Sequence, residues 1–158
     1  MGGSPIGSAV VHSTFSVERT YPTTPARVFD AFADPARKRR WFAEGEGWSI
    51  DEFVLDFRVG GSERSRFRFQ DGPPAGNDTV FLDIVPDRRI VFAYTMMVRD
   101  ARISVSLATV EIVARGDGTH LTYTEQGVFF DGTDDGTNRE TGCGEMLTKL
   151  AEELAHHP

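Results

Sequence analysis

A single cysteine, Cys143, stands in 158 residues, so no disulfide can form within the chain. Long apolar runs are missing too: no stretch approaches the roughly 18 consecutive apolar residues of a membrane-spanning helix. Basic residues are the minority, 17 Lys and Arg against 24 Asp and Glu for a net charge of −7, and the averaged field repels phosphate backbones and anionic lipid alike. Neither a nucleic acid nor a membrane is expected as a partner. The N-terminus lacks the basic start and apolar stretch of a secretory signal, which points to a cytoplasmic protein. His12, His120, His156 and His157 include no pair at metal-ligand spacing beside a Cys or carboxylate. No Gly-rich phosphate loop lies between a strand and a helix, and no Gly-x-Ser-x-Gly occurs. Metal, nucleotide and serine-hydrolase chemistry lack their usual anchors, and the sequence assigns no catalytic residue, metal or cofactor.

What the chain does have is the balance of one globular domain, 39% hydrophobic and 26% charged, with 12 Phe, 3 Tyr and 2 Trp. Residues 1–10, rich in Gly and Ser, read as a disordered or expression-derived tail, and 11–157 as the domain. From Val11 to Thr20, Phe15 and Val17 alternate with polar neighbours, the pattern of a half-buried strand. Thr24-Pro25 and Asp34-Pro35 each pair a capping residue with Pro at the first helical position, predicting two short helices over 25–33 and 35–42 that end in Trp41-Phe42. Strands then follow to about residue 130. Arg64, Arg66 and Arg68 alternate with Phe67 and Phe69, so the Phe face turns inward and the Arg face outward toward acidic neighbours. Asp71 to Asn77 reads as a loop, and Ile90, Phe92, Tyr94 and Met96 share one strand face. Ile103, Val105 and Leu107 fall on odd positions but Val110 and Ile112 on even ones, which predicts a change of phase near Ala108. Cys143, Met146, Leu147, Leu150 and Leu154 form a helical stripe, predicting a long terminal helix of about residues 135–155.

This order of elements is that of an α+β helix-grip fold (START/Bet v-like), with a curved antiparallel β-sheet wrapped around a long C-terminal helix and two short helices after the first strand. Tyr21-Pro22, Pro25 through Phe32, Asp34-Pro35 and Trp41-Phe42 resemble the opening of the START-like (SRPBCC) superfamily. Asp56 through Gly61, Ile84 through Phe92 and Gly116 through Thr122 are similar to the strand and turn motifs of its activator of Hsp90 ATPase homologue-like branch. The resemblance implies a cavity between sheet and terminal helix that holds a small apolar ligand, with a role in stress response or regulation as a further expectation. It fixes no single reaction, since such folds host carriers, receptors and polyketide cyclases. Relatives usually carry Gly-Trp where this chain has Gly142-Cys143 followed by Gly144. The resemblance therefore implies a roomier cavity near the start of that helix, and two glycines in one turn weaken it by about 1 kcal/mol each relative to Ala.

Trp41, Phe67, Phe69, Phe92, Tyr94, Met96, Met146 and Leu150 are the expected cavity walls, joined by Cys143 on the helix stripe. Cys143 has no His one helical turn away to activate it, and a buried small hydrophobe is its expected role. Glu125 follows Leu121 and Tyr123 at period two. Either it enters the cavity, where it needs a partner or must hold its proton, or the strand ends and it reaches solvent near Gly127. The basic run Arg37-Lys38-Arg39-Arg40 reads as a solvated helix face. Without a paired acid and base, ligand binding is preferred over the alternatives, which are a cyclase-like enzyme moving protons through Tyr94 and Glu125, or a co-chaperone-like interaction module. Val91, Ala93, Thr95 and Met97 on the other face of their strand leave room for a homodimer.

Overall fold

The computed structural model describes residues 9–158 and begins its first strand at Val10; of the tail expected over residues 1–10, residues 1–8 lie outside the described residues. Strand β1 (Val10–Tyr21) leads into helix α1 (Pro25–Ala33) and helix α2 (Pro35–Lys38), which widens into a π-helical turn at Arg39–Ala43. Strands β2 (Trp48–Leu55), β3 (Ser62–Phe69), β4 (Ala75–Val85), β5 (Arg89–Val98), β6 (Ala101–Arg115) and β7 (Gly118–Phe130) follow, and helix α3 (Thr137–His156) ends the domain. All pairings are antiparallel, in the order β1-β7-β6-β5-β4-β3-β2. The two edges of the curved sheet are thus strands that neighbour each other in sequence, and α1 and α2 carry the chain between them. Against the inner face lies α3, packed on β1, α1 and the π-helical turn.

Local chemistry accounts for the helix starts. Thr24 accepts a hydrogen bond from the Arg27 N–H, and Asp34 takes those of Ala36 and Arg37 at 2.9 and 3.1 Å while its own N–H closes α1 on Asp30. Gly136, with φ of 100°, turns the chain into α3; a Cβ there would sit 2.6 Å from the Ser13 Cβ, so only glycine fits. Asp134 collects the N–H groups of Asp135, Gly136, Asn138 and Arg139 at the same helix start.

Three expectations are corrected here. The second short helix keeps α-geometry only to Lys38. The segment Asp71 to Asn77 is not all loop, because β4 already begins at Ala75 and pairs Asn77 with Ser65 and Met96. And β6 does not change phase at Ala108: its register with β7 is unbroken, and Ser104, Ser106, Ala108, Val110 and Ile112 all point inward. Val105 and Leu107 face outward and are more than a third exposed. The register shift lies nearer the start of β6, where Ile103 is the extra residue between the Met97–Arg102 and Met96–Ser104 pairs and a bulge restores the pairing. Hydrophobicity misled because two serines occupy inward positions that the apolar pattern assigned to the outside.

Candidate functional site

Cross-strand pairing sets two adjacent rows on the inner face of the sheet. Leu55, Glu63, Thr79, Tyr94, Ser106 and Gly127 form one, and Phe53, Ser65, Asn77, Met96, Ser104 and Phe129 the other. Inner faces of curved sheets are ordinarily apolar, so this band of hydroxyl, amide and carboxylate groups crossing the core is unusual chemistry. It floors a cavity of about 460 Å³ whose roof is α3 and whose near wall is the π-helical turn.

A cation guards each end of the band. At the α3 end, Arg139 Nη1 donates to the Tyr94 hydroxyl at 2.8 Å, to Glu125 Oε2 at 3.3 Å and to Ser106 Oγ at 3.4 Å, while Nη2 reaches Ser104 Oγ at 2.7 Å and Met96 Sδ at 3.3 Å. The rings of Phe129 and Tyr94 flank the guanidinium at 5.0 and 5.5 Å. Glu125 is fully buried beneath this group, and its Oε1 accepts from Tyr94 at 2.8 Å and Tyr123 at 2.7 Å. At the opposite end, Lys38 and Glu63 form a buried ion pair at 2.9 Å, with the ammonium 4.5 Å from the Phe42 ring.

Burial, then the neighbouring Glu125 charge, pushes the Tyr94 phenol well above its ordinary range. Tyr123 is raised in the same way, chiefly by burial. Burial opposes the Arg139 charge, but the oxygens of Tyr94 and Glu125 around it outweigh that and hold its pKa above the ordinary value. The Cys143 thiol, its Sγ 3.8 Å from Glu125 Oε1, is pushed up to about 12 by burial and by that carboxylate. A thiol held protonated in this way is no nucleophile at neutral pH. Glu125 is equally unsuited to removing a proton from a ligand, since two phenols and a guanidinium already occupy its oxygens.

Of the expected wall residues, Trp41, Phe67, Phe92, Tyr94, Met96, Cys143 and Met146 line the cavity. Glu125 lies behind Tyr94 and Arg139 rather than on the surface of the cavity. Phe69 is displaced outward: it stands at the last position of β3, 46% exposed, and packs at a tilt against Trp48, ring centroids 4.9 Å apart. Leu150 is buried farther along α3, in the apolar core. The basic run is not a solvated face, because Lys38 is buried in the cavity wall and Arg37, Arg39 and Arg40 each meet a carboxylate, of Asp30, Glu44 and Glu153. The Arg face of β3 does find acidic partners, Glu52 for Arg64, Asp78 for Arg66 and Asp51 for Arg68.

Sequence reasoning passed over Lys38, Asn77, Ser104, Ser106 and Arg139. A signal existed for Arg139, which stands four residues before Cys143 on the same helical stripe. Extending the even-numbered phase of Val110 and Ile112 backward would likewise have brought Ser106 and Ser104 inward.

A curved sheet gripping a terminal helix over a lined cavity defines a helix-grip protein of the SRPBCC superfamily. Residues 22–155 match the model of the family described as "Activator of Hsp90 ATPase homolog 1-like protein", and the chain belongs to that family. Among solved structures it is similar to the Mll3558 protein of Rhizobium loti, with 55% identity and a TM-score of 0.85 over 92% of this chain and 99% of that one. A protein from Rhizobium leguminosarum is 40% identical with a TM-score of 0.90, over 94% of this chain and 98% of the other. DynU16, from the dynemicin biosynthetic locus, shares the fold at 19% identity and a TM-score of 0.67, over 90% of this chain and 47% of its own. No curated protein matches the chain. No helix among the described residues is long and apolar enough to cross a membrane.

Proposed function

We propose that this protein binds a small, largely hydrophobic ligand in the cavity between the curved sheet and α3. The observation that carries the reading is the cavity itself: about 460 Å³, with Trp41, Phe67, Phe92, Tyr94 and Met146 as apolar and aromatic walls above the polar band. Membership of a superfamily whose fold commonly holds hydrophobic ligands supports it. Catalysis is the weaker reading because the buried Glu125, Tyr94 and Arg139 hydrogen-bond one another, so none of the three is free to serve as acid or base toward a ligand.

Both tryptophans, Trp41 and Trp48, line the cavity and so report on its contents. A neutral environment-sensitive dye such as Nile red should bind at one saturable site and quench their fluorescence. Gly142 offers a way to close that site, because a Cβ added there meets nothing within 4 Å and projects from a helix it should strengthen. Gly142→Phe should remain folded and lose the dye. Saturable binding that survives in Gly142→Phe would place the ligand elsewhere, and no dye binding to the parent protein would overturn the proposal.

A further inference from the structure

We infer that the ligand is uncharged and carries one hydrogen-bonding substituent, a hydroxyl or carbonyl, which Asn77 reads; the inference rests on the binding function proposed above. The middle of the polar band differs from its ends. Arg139 joins its neighbours into a network at one end, and Lys38 meets Glu63 at the other. Between them, Asn77 faces the cavity with its Oδ1 buried and without a hydrogen-bond partner among the described residues. Its cross-strand neighbour Ser65 is 1% exposed, and its hydroxyl is likewise without a partner. Buried polar groups are nearly always satisfied, so an unsatisfied amide on the cavity wall, with a second unsatisfied group beside it beneath the surface, marks a place where something outside the fold completes the bonding. An amide can rotate to offer either its N–H or its oxygen, which suits a ligand hydroxyl or carbonyl equally.

Charge decides the rest. Lys38 is matched by Glu63 and Arg139 by Glu125, while Asp134 is committed to the start of α3. The Lys149 ammonium, which donates to the neutral Glu44 carbonyl, and the exposed Glu145 also line the cavity, but they stand on α3, across from the band that holds Asn77. In the buried band around Asn77, a ligand carboxylate would have to break one of the buried pairs to find a counter-ion, and a ligand ammonium would meet the same obstacle in reverse. An uncharged polar group on an aromatic body meets no such penalty, and the Phe67 and Phe92 rings in the same cavity wall can receive that body.

Three matched probes test this: 2-methylnaphthalene, 2-naphthol and 2-naphthoate, each titrated at pH 7 by displacement of the neutral dye. The expected order places 2-naphthol first, at least tenfold tighter than 2-naphthoate and several-fold tighter than 2-methylnaphthalene. Asn77→Leu should erase the advantage of naphthol over methylnaphthalene, and Ser65→Ala should reduce it. Equal binding of the two neutral probes, an unchanged preference in Asn77→Leu, or tightest binding of the carboxylate would each overturn the inference while leaving the binding function intact. Failure of the parent protein to bind dye or any probe would instead remove that function, and this inference with it. The ranking in the parent protein needs no variant, so a poorly folding Asn77→Leu does not shield the inference.

Discussion

The Tyr94 hydroxyl donates to Glu125 at 2.8 Å and accepts from Arg139 at 2.8 Å, so one phenol bridges both members of a buried ion pair. Strand β5, strand β7 and helix α3 are joined through that single oxygen. The ion pair itself is long, 3.3 Å, and the short contacts all run through hydroxyls. The network therefore holds α3 to the sheet by hydrogen bonds whose directions are fixed, where apolar packing alone would allow sliding.

Removing the cation should expose how much this network matters. Arg139→Met leaves the Glu125 carboxylate buried without its counter-ion, and should destabilise the fold by about 3–5 kcal/mol in a urea titration. A loss below about 1 kcal/mol would show that Tyr94 and Tyr123 alone satisfy Glu125.

The Lys38–Glu63 pair makes a different prediction, because each side chain is only a few per cent exposed and aromatic rings surround the ammonium. Lys38→Met should cost about 3–5 kcal/mol, whereas Lys38→Met with Glu63→Met should recover most or all of it, since desolvating two charges offsets their attraction. A double variant as unstable as the single one would show that the pair holds the π-helical turn in place.

Alkaline pH should destabilise the protein. With its folded pKa near 12 against an ordinary 9.0, Cys143 contributes stability that is complete below about pH 9 and is lost as pH rises through the folded value; the raised Tyr94 and Tyr123 act in the same direction. Denaturant midpoints should fall progressively above about pH 9. Alkylation of the native thiol at pH 8 should be far slower than that of the unfolded chain, and comparable rates would show that the thiol is neither buried nor shifted.

Cys143→Trp would introduce the residue that the resemblance to the family implies at this position. The thiol lines the cavity, so the indole should fill part of it, block the neutral dye and raise the melting temperature by restoring dispersion contacts. A lower melting temperature with unchanged dye binding would show overpacking of ordinary core, an effect of about 1–3 kcal/mol.

Most of the fold was legible because its elements carry strong periodic signals. Thr24-Pro25 and Asp34-Pro35 announce helix starts, and the stripe from Cys143 to Leu154 announces α3. The site was legible only where it is apolar or aromatic. Glu125 could be placed because Leu121 and Tyr123 fix its face, yet whether the strand continued past it was open until β7 was seen to run on to Phe130. Ser104, Ser106 and Lys38 were missed for one shared reason. Periodicity assigns polar residues to solvent, and these are polar residues buried by partners that come from other elements: Arg139 for the serines and Glu63 for the lysine. Asn77 was missed differently, since the Pro73-Pro74 and Gly76 around it masked the start of a strand.

The pairing of β1 with β7 sets the order in which the molecule can be completed. Val10 lies opposite Phe130 and Tyr21 opposite Thr119, so β1 leaves the ribosome before the other strands of the domain and has no partner until almost all of the domain has followed it. The hairpins from β2 through β7 can each form from neighbouring sequence, but β1 and its contact with α3 must wait for the end. Such distant pairings close slowly. During synthesis Phe15 and Tyr21, both buried in the finished core, are exposed on an unpaired strand, and this makes the N-terminal strand the segment most in need of protection from aggregation while the chain is nascent.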